Sequence, residues 1–290
     1  MLNHTKHFLI NDDARKISYL EDQSVHLILT SPPYWTLKKY RTEIDQLGSI
    51  EDYDLFVLEL EKVWKECFRL LVPGGRLVCV VGDVCLSRRK FGRHLVVPLH
   101  ADIVTSCRKV GFDNLNPIIW QKISNANYEV QRGSKFLGKP YEPNSIIKND
   151  FEFILMQRKP GGYRKPTEEQ RKHSKISKSD FNKWFRQFWN LSGASTKDHP
   201  APFPLKLAYR LVSMFSFIDD TVLDPFCGTG TTMLAAMQTN RHSIGVEIDA
   251  EYCQYTLKRL KAGSNQLFSK YDIRYYSADD LDTVKLIKQA

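Results

Sequence analysis

Two consecutive prolines, Pro32 and Pro33, close the apolar run Val25-His26-Leu27-Ile28-Leu29 just after Thr30 and Ser31. A β-branched, leucine-rich run predicts a buried strand, and proline lacks the backbone donor that would extend its ladder, so the strand must stop there. Ser31 and Tyr34 therefore sit at a strand's carboxyl end, which in an open α/β sheet is where ligands bind. The prolines fix φ at two successive residues and leave the carbonyls of Ser31 and Pro32 little freedom to lose. A hydroxyl, two rigid carbonyls and the Tyr34 ring make a pocket suited to a flat molecule with an amino group. A plain turn closing a strand is the competing reading of the same residues.

A second stretch, Val222-Leu223-Asp224-Pro225-Phe226-Cys227-Gly228-Thr229-Gly230-Thr231-Thr232, has an apolar strand with an acid at its tip, then Gly-x-Gly opening the helical run Met233 to Met237. Glycines there permit a tight turn and close approach of backbone to ligand. The third glycine of a dinucleotide fingerprint is replaced by Met233. Ser243 to Asp249 reads as another strand ending in a carboxylate, which in such folds hydrogen-bonds ribose hydroxyls. Strand, acid, Gly-x-Gly, helix, strand and acid in that order predict a doubly wound, mostly parallel α/β sheet that binds a nucleotide-like ligand.

Thr30-Ser31-Pro32-Pro33-Tyr34-Trp35 and Asp224 to Thr232, with His199-Pro200-Ala201-Pro202-Phe203-Pro204 between them, resemble the DNA amino-methyltransferases that use S-adenosylmethionine. The order, catalytic motif before cofactor motif, is similar to the permuted beta class, and the likeness runs over nearly the whole chain. It implies a circularly permuted Rossmann-like methyltransferase fold with a sheet of the seven-stranded type. The catalytic residues so implied are Ser31, Pro32, Pro33 and Tyr34. The implied cofactor contacts are Asp13, Phe203, Asp224, Pro225, Phe226, Gly228, Gly230, Thr231 and Glu247. Asp13 reads equally well as a helix cap, and Asp279 competes with it for the cofactor's adenine. In that family Asp-Pro-Pro-Tyr usually accompanies adenine methylation and Ser-Pro-Pro-Tyr methylation of the cytosine 4-amino group, so Ser31 implies cytosine. An adenine enzyme with a serine variant, and a catalytically silent DNA-binding protein of the same fold, are the alternatives. None of the six cysteines directly follows a proline, which disfavours the Pro-Cys nucleophile of cytosine carbon-5 enzymes, and none shows metal-ligand spacing.

A net charge of +9 points to a polyanionic partner, here double-stranded DNA. Arg158 to Arg186 holds ten Lys or Arg against three acids, with Phe181, Trp184, Phe185, Phe188 and Trp189 following at helix-like spacing. This predicts a basic target-recognition insert at 158–190, between a catalytic half (1–157) and a cofactor half (191–290) of one domain. Its expected phosphate anchors are Arg164, Lys165, Arg171, Lys172 and Lys175. Arg88, Arg89 and Lys90, with Arg93, form a second cationic loop after a strand tip. The stretch from Thr36 to Ser49, with Lys38, Lys39 and Arg41, reads as a loop beside the pocket, and 125–149 as a long excursion. Helices are expected at Ile50 to Leu71, Val96 to Val110, Leu205 to Phe217 and Ala250 to Ala262, with a single helical turn at Ile17 to Leu20. No segment reaches the ~18 apolar residues of a membrane span and no signal-peptide core is present, so a soluble, cytoplasmic, reduced protein is expected. The resemblance also allows a cognate restriction endonuclease as partner, and a monomer or homodimer.

Overall fold

The computed structural model describes residues 4–35, 46–86, 88–122, 143, 147, 149–193, 203–264, 270–277 and 280. Its strands are β1 (His4–Asn11), β2 (Val25–Thr30), β3 (Leu71–Val81), β4 (Val84–Leu86), β5 (Leu95–Val97), β6 (Asp113–Gln121), β7 (Phe151–Arg158), β8 (Phe188–Asn190), β9 (Thr221–Asp224), β10 (His242–Glu247) and β11 (Lys270–Tyr276). Nine of them form one sheet in the order β11-β1-β10-β9-β2-β3-β7-β6-β8, while β4 and β5 pair by themselves. From β11 to β3 all neighbours are parallel. β7 runs antiparallel to β3 and β6, and β8 runs parallel to β6. The sheet thus has two strands more than the expected type among the described residues, β11 at one edge and β8 at the other.

The helices are α1 (Tyr53–Leu70), α2 (Arg88–Phe91), α3 (Leu99–Val110), α4 (Glu168–His173), α5 (Lys178–Trp184), α6 (Leu205–Phe215), α7 (Thr231–Gln238) and α8 (Ala250–Gly263). Polar caps start several of them: Asp52 accepts from Leu55 N at the head of α1, and Asp249 accepts from Glu251 N and Tyr252 N at the head of α8. Both faces of the parallel sheet are covered, as such sheets require. Ile28, Leu77 and Cys79 pack with Phe56, Leu60 and Trp64 of α1 on one face. Leu27, Leu29, Val78 and Val80 pack with Leu207 and Leu211 of α6 and Ala235 and Ala236 of α7 on the other. Every residue of α7 from Thr231 to Met237 is buried. None of the helices among the described residues is long and apolar enough to cross a membrane.

Chain order reverses between β2 and β9, which come from opposite halves of the sequence yet pair at Leu27↔Val222 and Ile28↔Leu223. A parallel sheet opens a crevice at such a point. Val72-Pro73-Gly74-Gly75 follows α1 as the irregular start of β3, with the register slipping between Val25 and Leu27. Two expectations need correction. Ile17 to Leu20 forms a hydrogen-bonded turn, Leu20 N to Ile17 O at 3.1 Å, and no helix. The aromatics after Phe181 do not continue one helix: α5 ends at Trp184, and Phe188 to Asn190 join the main sheet. Trp184 and Trp189 are buried in its core, so part of segment 158–190 completes the central body.

Candidate active site

At the carboxyl ends of β2 and β9 the two motifs are fastened to each other. Thr30 Oγ1 donates to Asp224 Oδ1 at 2.7 Å, and the same oxygen accepts from Phe226 N at 3.1 Å. Thr232 Oγ1 donates to the Leu29 carbonyl at 3.1 Å. Asp224 is 1% exposed; burial raises its pKa to about 6, against the opposing pull of its hydroxyl and amide donors. The expected contact with cofactor therefore becomes a brace between strand tips.

The glycine turn is held from behind by α8. Thr256 Oγ1 donates to the Gly228 carbonyl at 2.9 Å, and Arg259 donates to the Thr229 carbonyl. Gly228 and Gly230 have φ of +51° and +75°, a region that L side chains seldom adopt. A Cβ on Gly230 would stand 2.5 Å from Thr256 Cγ2, so Gly230 serves the start of α7 and its packing and does not line the cavity. The close helix–strand approach that a third fingerprint glycine would allow is supplied from the strand side. A Cβ on Gly245 would meet Met233 Sδ at 2.5 Å and Cys227 Sγ at 2.6 Å.

A cleft opens between these tips, lined by Asp12, Asp13, Ala14, Ser31, Pro32, Pro33, Gln46, Leu47, Gly48, Pro225, Phe226, Gly228, Glu247, Ile248 and Tyr252. Eight residues singled out from sequence meet here: Asp13, Ser31, Pro32, Pro33, Pro225, Phe226, Gly228 and Glu247. Glu247 accepts from Gly228 N at 2.7 Å and from Asp249 N at 2.9 Å. Burial pushes its pKa up to about 7 despite those two amides. A carboxylate with two amides, no cationic partner among the described residues and open lone pairs facing a cleft suits hydroxyl donors. Asp13 is engaged by Arg15, which also pairs with Glu59 at 2.7 Å. Asp12, beside it, has a pKa raised by burial and faces the same cleft. Ser31 Oγ makes no hydrogen bond within the described residues.

Other sequence-derived residues lie elsewhere. Tyr34 is buried and does not line the cleft, its Cε1 3.6 Å from where a Cβ on Gly82 would be. The motif ends on Trp35, at φ +46°, whose Nε1 donates to the Ile50 carbonyl at 2.9 Å; a non-glycine residue in that region stores strain next to the pocket. Thr231 is buried at the head of α7. Phe203 packs in the core with α6, on the face opposite α1. Arg88 and Arg89 stand exposed on α2, just beyond the carboxyl end of β3, and Lys90 belongs to the same helix. Arg164 instead forms an ion pair with Asp220, at the amino end of β9. Ser174 Oγ accepts from Ile218 N at 2.9 Å nearby. Lys165, Arg171, Lys172 and Lys175 are exposed on this same segment, at the end of the sheet away from Ser31. Asp279, His199 to Pro202, Lys38, Lys39, Arg41 and most of 125–149 lie outside the described residues.

Asp12, Ile248, Tyr252 and Gln46 to Gly48 line the cleft without having been singled out as ligands. Position was their only signal: each adjoins a strand tip, a cap or the end of the loop already placed beside the pocket.

A profile of the DNA methylase family matches residues 25–258. The Type II methyltransferase M.MjaI of Methanocaldococcus jannaschii is 38% identical over 276 residues, which cover 84% of this chain and 88% of its own. A candidate DNA modification methylase from Thermus thermophilus, solved in complex with S-adenosyl-L-methionine, matches at a TM-score of 0.76 and 51% identity, over 92% of this chain and 98% of its own. The cytosine-N4-specific PvuII DNA methyltransferase matches at a TM-score of 0.64 over 93% of this chain and 97% of its own; at 18% identity that likeness concerns the fold alone.

Proposed function

The chain belongs to the DNA methylase family, and from that premise we propose that it methylates the 4-amino group of a cytosine turned out of a DNA duplex. The observation that carries this reading is the sharing of one cleft by Ser31 and Pro32 with Glu247 and Gly228. S-adenosylmethionine, the family's cofactor, supplies an electrophilic methyl when bound. The cleft fits it: Glu247 would accept from ribose hydroxyls, Asp12 or Asp13 would accept from the adenine amino group, and Phe226 and Ile248 would wall the ring.

An exocyclic cytosine amine is a weak nucleophile because its lone pair is delocalised into the ring. Ser31 Oγ and the Pro32 carbonyl accept hydrogen bonds from its two N–H groups, draw the lone pair out of conjugation and fix its direction. The prolines hold that geometry in advance, and the Thr30–Asp224 bond ties it to the glycine turn. No covalent intermediate is required. Because the acceptor atom is stacked inside a duplex, the base must be flipped out, and Tyr34 supports the wall it enters.

Single-turnover methylation of a mixed-sequence duplex, followed by digestion and nucleoside mass spectrometry, tests the reading. Ser31→Ala should lower the rate about a hundredfold, close to 3 kcal/mol of transition-state stabilisation, with cofactor and DNA affinity retained. A full-rate Ser31→Ala enzyme would sink the mechanism. N6-methyladenine as sole product would sink the base assignment and leave adenine, which the family also includes, as the acceptor.

A further inference from the structure

A second concave feature lies at the other end of the sheet, under the amino ends of β2, β3 and β9. There a cleft of about 530 Å³ opens between Gly74-Gly75 at the start of β3, α4, α5 and the end of α6. Its wall carries Arg76, whose guanidinium lies 4.7 Å from the centre of the Phe215 ring. Arg76 is half-buried and makes no ion pair or hydrogen bond with any described residue. The acid in this cleft, Asp220, is taken up by Arg164. His26 lies 4.0 Å from the same carboxylate, and burial lowers its pKa to about 4, so it is neutral at pH 7. Arg171 stands exposed at the cleft's edge.

The cleft also presents flat apolar faces. Phe181 and Phe185 stack on each other at 4.3 Å and are 53% and 44% exposed. Exposed paired aromatics mark a binding surface, and a half-buried guanidinium without a carboxylate favours an anion that can take its planar fork, above all phosphate. An apolar peptide would leave Arg76 unmatched, and inorganic phosphate would leave the two rings bare. We propose that this cleft binds a nucleotide unit, with its phosphate on Arg76 and Arg171 and its base against the Phe181–Phe185 pair. Stacking of a base on aromatic side chains is tolerant of sequence. The unit can come from a free nucleotide or from an unpaired strand.

Calorimetry on the full chain, with the first cleft saturated by S-adenosylmethionine, separates these sources. Thymidine monophosphate should bind at least tenfold more tightly than inorganic phosphate or thymidine. Arg76→Met should weaken it tenfold or more, and Phe185→Leu should bring it down to the level of phosphate. Both variants should keep wild-type affinity for S-adenosylmethionine, which reports an intact fold. A twelve-nucleotide oligothymidylate that binds more tightly than the monophosphate assigns the cleft to a strand, and equal affinities assign it to a free nucleotide. Absence of binding by the monophosphate, affinity no better than that of phosphate, or an Arg76→Met chain that binds like wild type overturns the proposal.

Discussion

Asp224 and Glu247 are both acids at the tips of parallel strands, and their surroundings give them different work. Asp224 is enclosed and joins Thr30 to Phe226 N. Asp224→Ala would strand a buried hydroxyl and an amide, at a cost of about 1–3 kcal/mol. Thermal unfolding should register that loss at equal size with and without cofactor beyond the usual ligand effect. Glu247 faces the cleft, and its folded pKa of about 7 lies above its ordinary value of 4.5. Between these values the folded chain binds more protons than the unfolded one, so Glu247's contribution to stability is present below pH 4.5 and is lost as pH rises through 7. Ribose hydroxyls favour the ionised form, so cofactor affinity should rise over the same window. Glu247→Gln should flatten both dependences in calorimetric titrations at pH 6 and 8; an unchanged slope in affinity would remove Glu247 from the ribose contact. Sequence made both acids legible as strand tips. Which one turns toward ligand depends on the pairing of β2 with β9, a contact between chain halves that no local pattern encodes.

Elements were legible where the hydrophobic period and the caps agreed. α1, α3, α6 and α8 lie within a few residues of their expected spans. β8 was not legible, because Phe181, Trp184, Phe185, Phe188 and Trp189 together have a spacing compatible with a helix, and only Ile119↔Phe188 and Trp120↔Trp189 pairing reveals the strand. The glycine turn shows the same limit within a motif that was recognised. Gly230 is at φ +75° and its missing Cβ is space that Thr256 of α8 fills, so the residue is required by the junction of α7 with α8 before any ligand arrives. Gly230→Val should therefore lower the unfolding midpoint of the cofactor-free chain by several degrees, and Thr256→Ser, which removes the clashing methyl, should recover part of it. A Gly230→Val chain that melts like wild type while losing cofactor would show that the glycine serves the ligand directly.

Among the described residues, the cations expected to anchor DNA are divided between the two ends of the sheet. Arg88 and Arg89 lie on α2 beyond the carboxyl end of β3, while Arg164, Arg171, Lys172 and Lys175 belong to the segment that packs beneath the strands' amino ends. A six-residue strand such as β2 is roughly 20 Å long at ~3.3 Å per residue. That separation is more than two Debye lengths at physiological salt, where the screening length is about 8 Å. A duplex seated over the Ser31 cleft therefore feels α2 directly and α4 hardly at all. The expected anchoring of the target duplex by Lys172 and Lys175 does not follow from where the fold puts them, although their number was plain in the sequence. Each phosphate no longer neutralised should reduce the slope of log affinity against log salt by about 0.9. Arg88→Glu with Arg89→Glu should thus flatten the salt dependence of specific duplex binding by the equivalent of one to two phosphates, measured by fluorescence anisotropy between low and physiological salt. Lys172→Glu with Lys175→Glu should leave that slope unchanged and leave cofactor affinity untouched. The reverse outcome, a flattened slope for the lysine pair and an unaltered one for the arginine pair, would place the duplex along the amino ends of the strands and require the base to reach Ser31 across the length of the sheet.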